Sequence, residues 1–216
     1  MTSDIERAVA DLVAIGELDE STPRDAVRDL VVSHARSLAG LEEWNGLETL
    51  SLIGCGVPDY AVVSLLPYLR VLVIENSDLT EVAWAGEVPL QVAVVRRNRL
   101  RDATPLFGLD AIQSLDLTGN PLDERSRALA AADDADRLCQ VDDDEVAEIN
   151  LSLADTGTGI VSYRREGALW ACATGLDLTE WPEAGHVQTT VEQLEMVANG
   201  ALTPWQLLGL DVVEGD

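Results

Sequence analysis

The chain contains no lysine: all 14 basic residues are arginine, and they face 39 acids, for a formal net charge of −25. A surface of that sign repels nucleic acid and anionic membranes, which argues against direct binding of either and leaves a basic protein as an electrostatically suited partner. Adaptation to high salt, or plain solubility, explains the same charge, and composition does not separate these readings. The acidity is uneven. Residues 1–40 hold 8 acids and 4 arginines, residues 41–122 hold 11 and 5, and residues 123–216 hold 20 and 5. Alanine- and arginine-rich usage without lysine suits a GC-rich bacterial genome.

Residues for chemistry are as scarce. The three cysteines, Cys55, Cys139 and Cys172, are odd in number, widely spaced and include no C-x-x-C pair, so neither a disulfide framework nor a zinc site is indicated. The two histidines, His34 and His186, belong to no H-E-x-x-H, and no G-x-S-x-G elbow is present. Asp155-Thr156-Gly157-Thr158-Gly159 lacks the G-K-[ST] of a phosphate loop. Asp142-Asp143-Asp144 lacks the alternating ligands of a calcium loop and reads as a solvated linker. No catalytic residue, metal or cofactor is expected. The one enzymatic pairing on offer is Cys172 as nucleophile with His186 as base. The start lacks a basic region followed by an apolar one, and no stretch is apolar for long enough to span a bilayer, so the expected location is cytoplasmic.

What the chain does have is one apolar pattern written four times. Leu47, Leu50, Leu52, Cys55 and Val57 make the first copy, and Leu69, Leu72, Ile74, Ser77 and Leu79 the second. Leu90, Ala93, Val95, Asn98 and Leu100 make the third, and Ile112, Leu115, Leu117, Asn120 and Leu122 the fourth. Alternation over a short strand, then a small or amide residue at a turn, resembles a leucine-rich repeat. The segment Arg101 to Leu109 is similar to the return segment of the 22-residue, internalin-like bacterial class. That resemblance implies a curved α/β solenoid with a parallel sheet on its concave side, commonly used to bind proteins. Extracellular internalin-like proteins carry export signals, and that part of the pattern is missing here.

The remaining elements follow from local signals. Ser3 and Glu6 form a capping box opening an amphipathic helix from about Asp4 to Ile15 that caps the solenoid. Val27, Leu30, Val32 and Ala35 make a degenerate first repeat. Asp123 opens a closing helix over about 123–138, with Ala128, Leu129, Ala132, Ala135 and Leu138 on one face. The repeat domain is thus expected over 1–139 and a small α+β domain over 145–216. In the latter, Ile149, Leu151 and Leu153 alternate as a strand, and Ile160–Tyr163 and Leu169–Ala173 complete an antiparallel meander. Thr189 and Glu192 cap a helix, Thr203-Pro204-Trp205 starts a last one, and Trp170, Trp181 and Trp205 are expected as core anchors.

Variable positions on the strands should face the concave side. The expected contact set is Ile53, Val71, Val73, Val92 and Val94 as an apolar centre, with Arg70, Glu75, Arg96, Arg97 and Asp116 as its polar rim. A covering C-terminal region explains the same valines. The run Arg96-Arg97-Asn98-Arg99-Leu100-Arg101 is expected to offset the protein's own acids or a partner's carboxylates. These features point to a non-enzymatic protein-binding module, with an immunity- or antitoxin-type inhibitor of a basic protein as its sharper form. The alternative is an enzyme or ligand-binding activity in the C-terminal unit, with the repeats as its targeting arm.

Overall fold

In a computed structural model, which describes residues 3–132, 137–175 and 185–209, the chain opens with helix α1 (Asp4–Ala14). Ser3 Oγ accepts the Glu6 amide while the Glu6 carboxylate accepts the Ser3 amide, which closes the expected capping box. Ile5 and Ala8 turn inward, and Asp4 Oδ2 also accepts the Arg36 and Ser37 amides, tying the cap to the first turn of the solenoid.

Strands β1 (Asp29–Ser33), β2 (Thr49–Ile53), β3 (Val71–Glu75), β4 (Val92–Arg96) and β5 (Ser114–Asp116) follow, each in parallel register with the last. Within each strand the repeat's apolar positions point into one continuous core: Leu30, Leu50, Leu72, Ala93 and Leu115 are all at most 1% exposed. The side chains between them face the other way, as strand alternation requires. The chain returns along the outside through short 3-10 segments, Leu41–Glu43, Ala61–Leu65 and Ala83–Glu87, and through helix α2 (Thr104–Phe107).

The turns are held by a ladder of buried side chains. Asn120 Nδ2 donates to Val95 O and Leu117 O while its Oδ1 accepts the Leu100 amide. Asn98 Nδ2 donates to Ile74 O and Arg96 O. Ser77 holds the same slot one repeat earlier, accepting the Cys55 amide. Just after each strand one residue is left-handed: His34, Gly54, Asn76, Arg97 and Gly119, with φ between 52° and 73°. At Gly119 a side chain would be crowded, since a Cβ would lie 2.8 Å from Arg97 Cγ, and the left-handed backbone there adds strain.

The closing region differs from expectation. Helix α3 (Glu124–Ala132) is shorter than 123–138, with Ala128 and Leu129 exposed and only Ser126 buried on it; Ala135 lies outside the described residues. Leu138 belongs to a sixth strand, β6 (Leu138–Gln140), parallel to β5. Asp142-Asp143-Asp144 is no free linker. Asp142 Oδ2 accepts the Gly119 amide at 2.6 Å, and Asp143 caps helix α4 (Asp144–Thr156) by accepting the Val146 amide.

That helix replaces the strand expected through Ile149, Leu151 and Leu153. Its buried residues, Val146, Ala147, Asn150 and Leu153, recur at helical spacing, and Gly157 ends it in the left-handed conformation. The meander is instead β7 (Ile160–Arg165), β8 (Ala168–Ala173) and β9 (Val187–Gln188). Helix α5 (Val191–Ala198) is capped by Thr190 with Gln193, one residue later than Thr189 and Glu192, and Thr203 caps α6 (Pro204–Leu207). Trp170 is half-buried and Trp205 is 38% exposed, so neither is a core anchor, and Trp181 lies outside the described residues.

Candidate functional site

Register sets the concave face in rows. One row runs Asp29, Thr49, Val71, Val92, Ser114 and Leu138, and the next Val31, Ser51, Val73, Val94, Asp116 and Gln140. A third runs Ser33, Ile53, Glu75 and Arg96. Val71 therefore adjoins Val92, and Val73 adjoins Val94, as a square of half-buried β-branched side chains in the middle of the sheet. Val31 (44% exposed) and Leu138 (73%) are further exposed apolar side chains toward the two ends, separated from the square by Ser51 and Ser114. Arg70 stands apart from this set, exposed at the N-terminal end of β3.

The expected rim is largely occupied by contacts within the molecule. Arg96 Nη2 donates to Glu75 Oε2 at 3.0 Å, and its Nη1 lies 3.7 Å from Asp116. Arg97 pairs with Glu75, donates from Nε to Asn76 Oδ1 at 2.6 Å, and lays its guanidinium over the Tyr163 ring at 5.0 Å. Because Asn76 Oδ1 is taken by Arg97, its amide N–H faces His186 Nε2 at 3.1 Å. A neutral ring then carries its proton on Nδ1, directed at the Tyr163 oxygen 2.7 Å away. Left-handed Asn76 and Arg97 thus reach from the foot of the sheet to the C-terminal unit.

The rest of the arginine run serves the opposite side of the same turn. Arg101 pairs with Asp155 at 2.5 Å, beside the Gly157–Gly159 loop. Arg96, Arg97 and Arg101 thus offset the protein's own acids, and Arg97 and Arg101 meet the C-terminal unit from two sides.

Between the foot of β3–β5 and the β7–β8 hairpin lies an open cleft of about 740 Å³. Glu75, Arg96, Arg97, Asp116, Thr118 and Gln140 line it from the solenoid, and Tyr163, Arg164, Arg165, Trp170 and His186 from the other unit. Arg164 turns away to Asp143 and Glu145. Sequence reasoning missed the second wall. Tyr163 and Trp170 are direct cross-strand neighbours, but no sequence spacing relates them to residue 97.

The nucleophile reading of Cys172 is not favoured. Its side chain is fully buried in β8, and burial pushes its thiol up to about 12, so it is protonated and sealed from substrate at neutral pH. Cys55 is likewise buried, its thiol pushed up to about 11 by desolvation. His186 is engaged with Tyr163 and Asn76. Among the described residues no three His, Cys, Asp or Glu side chains gather as metal ligands, and no described helix is long and apolar enough to cross a membrane.

No family model matches the chain, and no curated protein matches it. Among solved structures it is similar to an internalin C2 from Listeria monocytogenes, at 17% identity and a TM-score of 0.48, over 54% of this chain and 52% of that one. It is also similar to an internalin, InlF, from the same organism, at 15% identity and a TM-score of 0.31, over 70% of this chain and 63% of that one. The chain thus spans between about half and under two thirds of the length of these structures. Its own strand register and turn ladder define the architecture: a solenoid of leucine-rich repeats with a small α+β unit against its turns.

Proposed function

We propose that the chain is a non-enzymatic protein-binding module that engages its partner through the concave sheet. The observation that carries this reading is the square of Val71, Val73, Val92 and Val94, which strand register makes contiguous and alternation turns away from the core. A contiguous apolar surface with polar residues at its margins is the anatomy of a protein interface. The sharper reading, an immunity- or antitoxin-type inhibitor of a basic protein, draws on the net charge of −25. On the concave face, however, Glu75 and Asp116 are already matched by Arg96, so a basic partner would have to meet the acids of residues 123–216 instead.

The test is a Val73→Asp, Val94→Asp double variant, checked for folding by circular dichroism and used beside wild type to capture a partner from the native organism's lysate. Reconstitution with the purified partner should show binding lost in the variant. Equal retention would remove the concave face from the reading. Steep weakening with added salt would favour the acidic-inhibitor form, and indifference to salt would remove it.

A further inference from the structure

The charge lining the cleft runs against that of the whole molecule. Four of the 14 arginines, Arg96, Arg97, Arg164 and Arg165, line it against two carboxylates, Glu75 and Asp116, in a chain of net charge −25. Arg96 and Arg97 are balanced by those two carboxylates, and Arg164 by Asp143 and Glu145. Arg165 is exposed at the end of β7 and forms no ion pair with any described residue. Beside it, half-buried Trp170 offers an indole to the same opening.

The cleft is continuous with the valine surface. Glu75 and Arg96 are two residues along their strands from Val73 and Val94, on the same face. A segment lying on the valines and running along the strands past Glu75 and Arg96 enters the cleft that Arg165 also lines. At the other end of β3, Arg70 is also exposed and without an ion pair among the described residues. An arginine with no ion pair among the described residues thus lies beyond each end of the apolar strip, Arg70 just before β3 and Arg165 across the cleft on β7.

We propose that the concave surface takes a protein segment with an apolar centre flanked by acidic side chains, and that the cleft is its carboxylate subsite, with Arg165 as the principal donor. One uncompensated guanidinium, with a fork that fits two oxygens, matches the single charge of a carboxylate. A phosphate dianion or a nucleic-acid backbone needs several free cations and meets the repulsion of the whole chain. The partner's acids are accepted only where this local reversal of sign lies, which fixes the register of the segment on the sheet.

This inference rests on the concave-face reading, and one experiment separates the two. A short random-peptide library is selected on the full-length protein, and enriched sequences are resynthesised with their acids kept, changed to glutamine, or changed to lysine. Binding is then read by fluorescence polarisation. Enriched peptides should carry Asp or Glu beside apolar residues, and the glutamine versions should bind about tenfold more weakly. Arg165→Ala should weaken the acidic peptide to a similar degree and abolish its advantage over the glutamine version. Enrichment of basic flanks, an acid preference that survives Arg165→Ala, or no enrichment at all overturns the proposal. If Val73→Asp, Val94→Asp abolishes binding while glutamine and glutamate versions bind alike, the subsite falls and the concave face stands. If the acid preference depends on Arg165 but the valine variant binds normally, the subsite stands and the concave face falls.

Discussion

Asp142 sits where the solenoid meets the C-terminal unit, and the charge of its carboxyl is costly there. Burial pushes it up to about 7; the Gly119 amide and Arg164 hold it down, while like charge from Asp143 and Asp116 adds to the rise. An unfolded aspartate titrates near about 3.9. Between about pH 4 and about pH 7 the native state therefore keeps a proton that the unfolded state has released. Stability falls as pH rises through that window and stays lowered above it. Roughly three pH units at about 1.4 kcal/mol each bound the effect at about 4 kcal/mol, and partial contact of the carboxyl with solvent brings it to about 2 kcal/mol. Asp142→Asn keeps an oxygen for Gly119 and removes the charge. Urea unfolding followed by circular dichroism should find the variant more stable than wild type by about 2 kcal/mol near pH 8 and equal to it near pH 4. The exposed Asp110→Asn serves as control for the general relief of a highly acidic chain. A gap between Asp142→Asn and wild type that does not change with pH, or a variant less stable near pH 8, would refute the reasoning.

Two further outcomes are expected. Asn120→Ala strands three buried backbone groups and should cost about 3–5 kcal/mol in urea unfolding; Asn98→Ala strands two, so its cost should be smaller, about 2–3 kcal/mol. An inverted order would show that the amide ladder does not bear the load assigned to it. Titration of the native protein with a thiol reagent should modify half-buried Cys139 first, with Cys55 and Cys172 reacting only as urea unfolds the chain. Fast native labelling of Cys172 would reopen the nucleophile reading.

The repeats were legible because each carries its own strand, turn and return, and the core-facing positions are apolar without interruption. The C-terminal unit was legible only in part. In α4, Ile149, Leu151 and Leu153 alternate like a strand, yet the buried face includes Asn150, a polar residue that breaks the helical apolar count. Its burial is explained by a partner far along the chain: Nδ2 donates to Ser162 O, and Oδ1 accepts both the Ser162 amide and its hydroxyl. The better local signals were the Asp143 cap and Gly157, which fit a helix and not a strand. Strand β6 was hidden by its length of three residues, too few for alternation to register. In the candidate site, register alone placed the valines side by side. The cleft depends on contacts such as Arg97 with Tyr163, which no local pattern encodes.

The register also bears on how this chain can change length. Successive partners, Asp29, Thr49, Val71, Val92, Ser114 and Leu138, lie 20, 22, 21, 22 and 24 residues apart, yet the strands stay aligned residue for residue. In the first four intervals the differences are taken up on the outer return path, whose segments differ in length and helix type. The two halves of each repeat are therefore unequal as places for insertion and deletion. A residue added within a strand or its turn would flip side chains between core and concave face, whereas one added on the return path leaves the binding rows in place. Foreign loops for engineering, and lineage-specific insertions in nature, belong on that outer side.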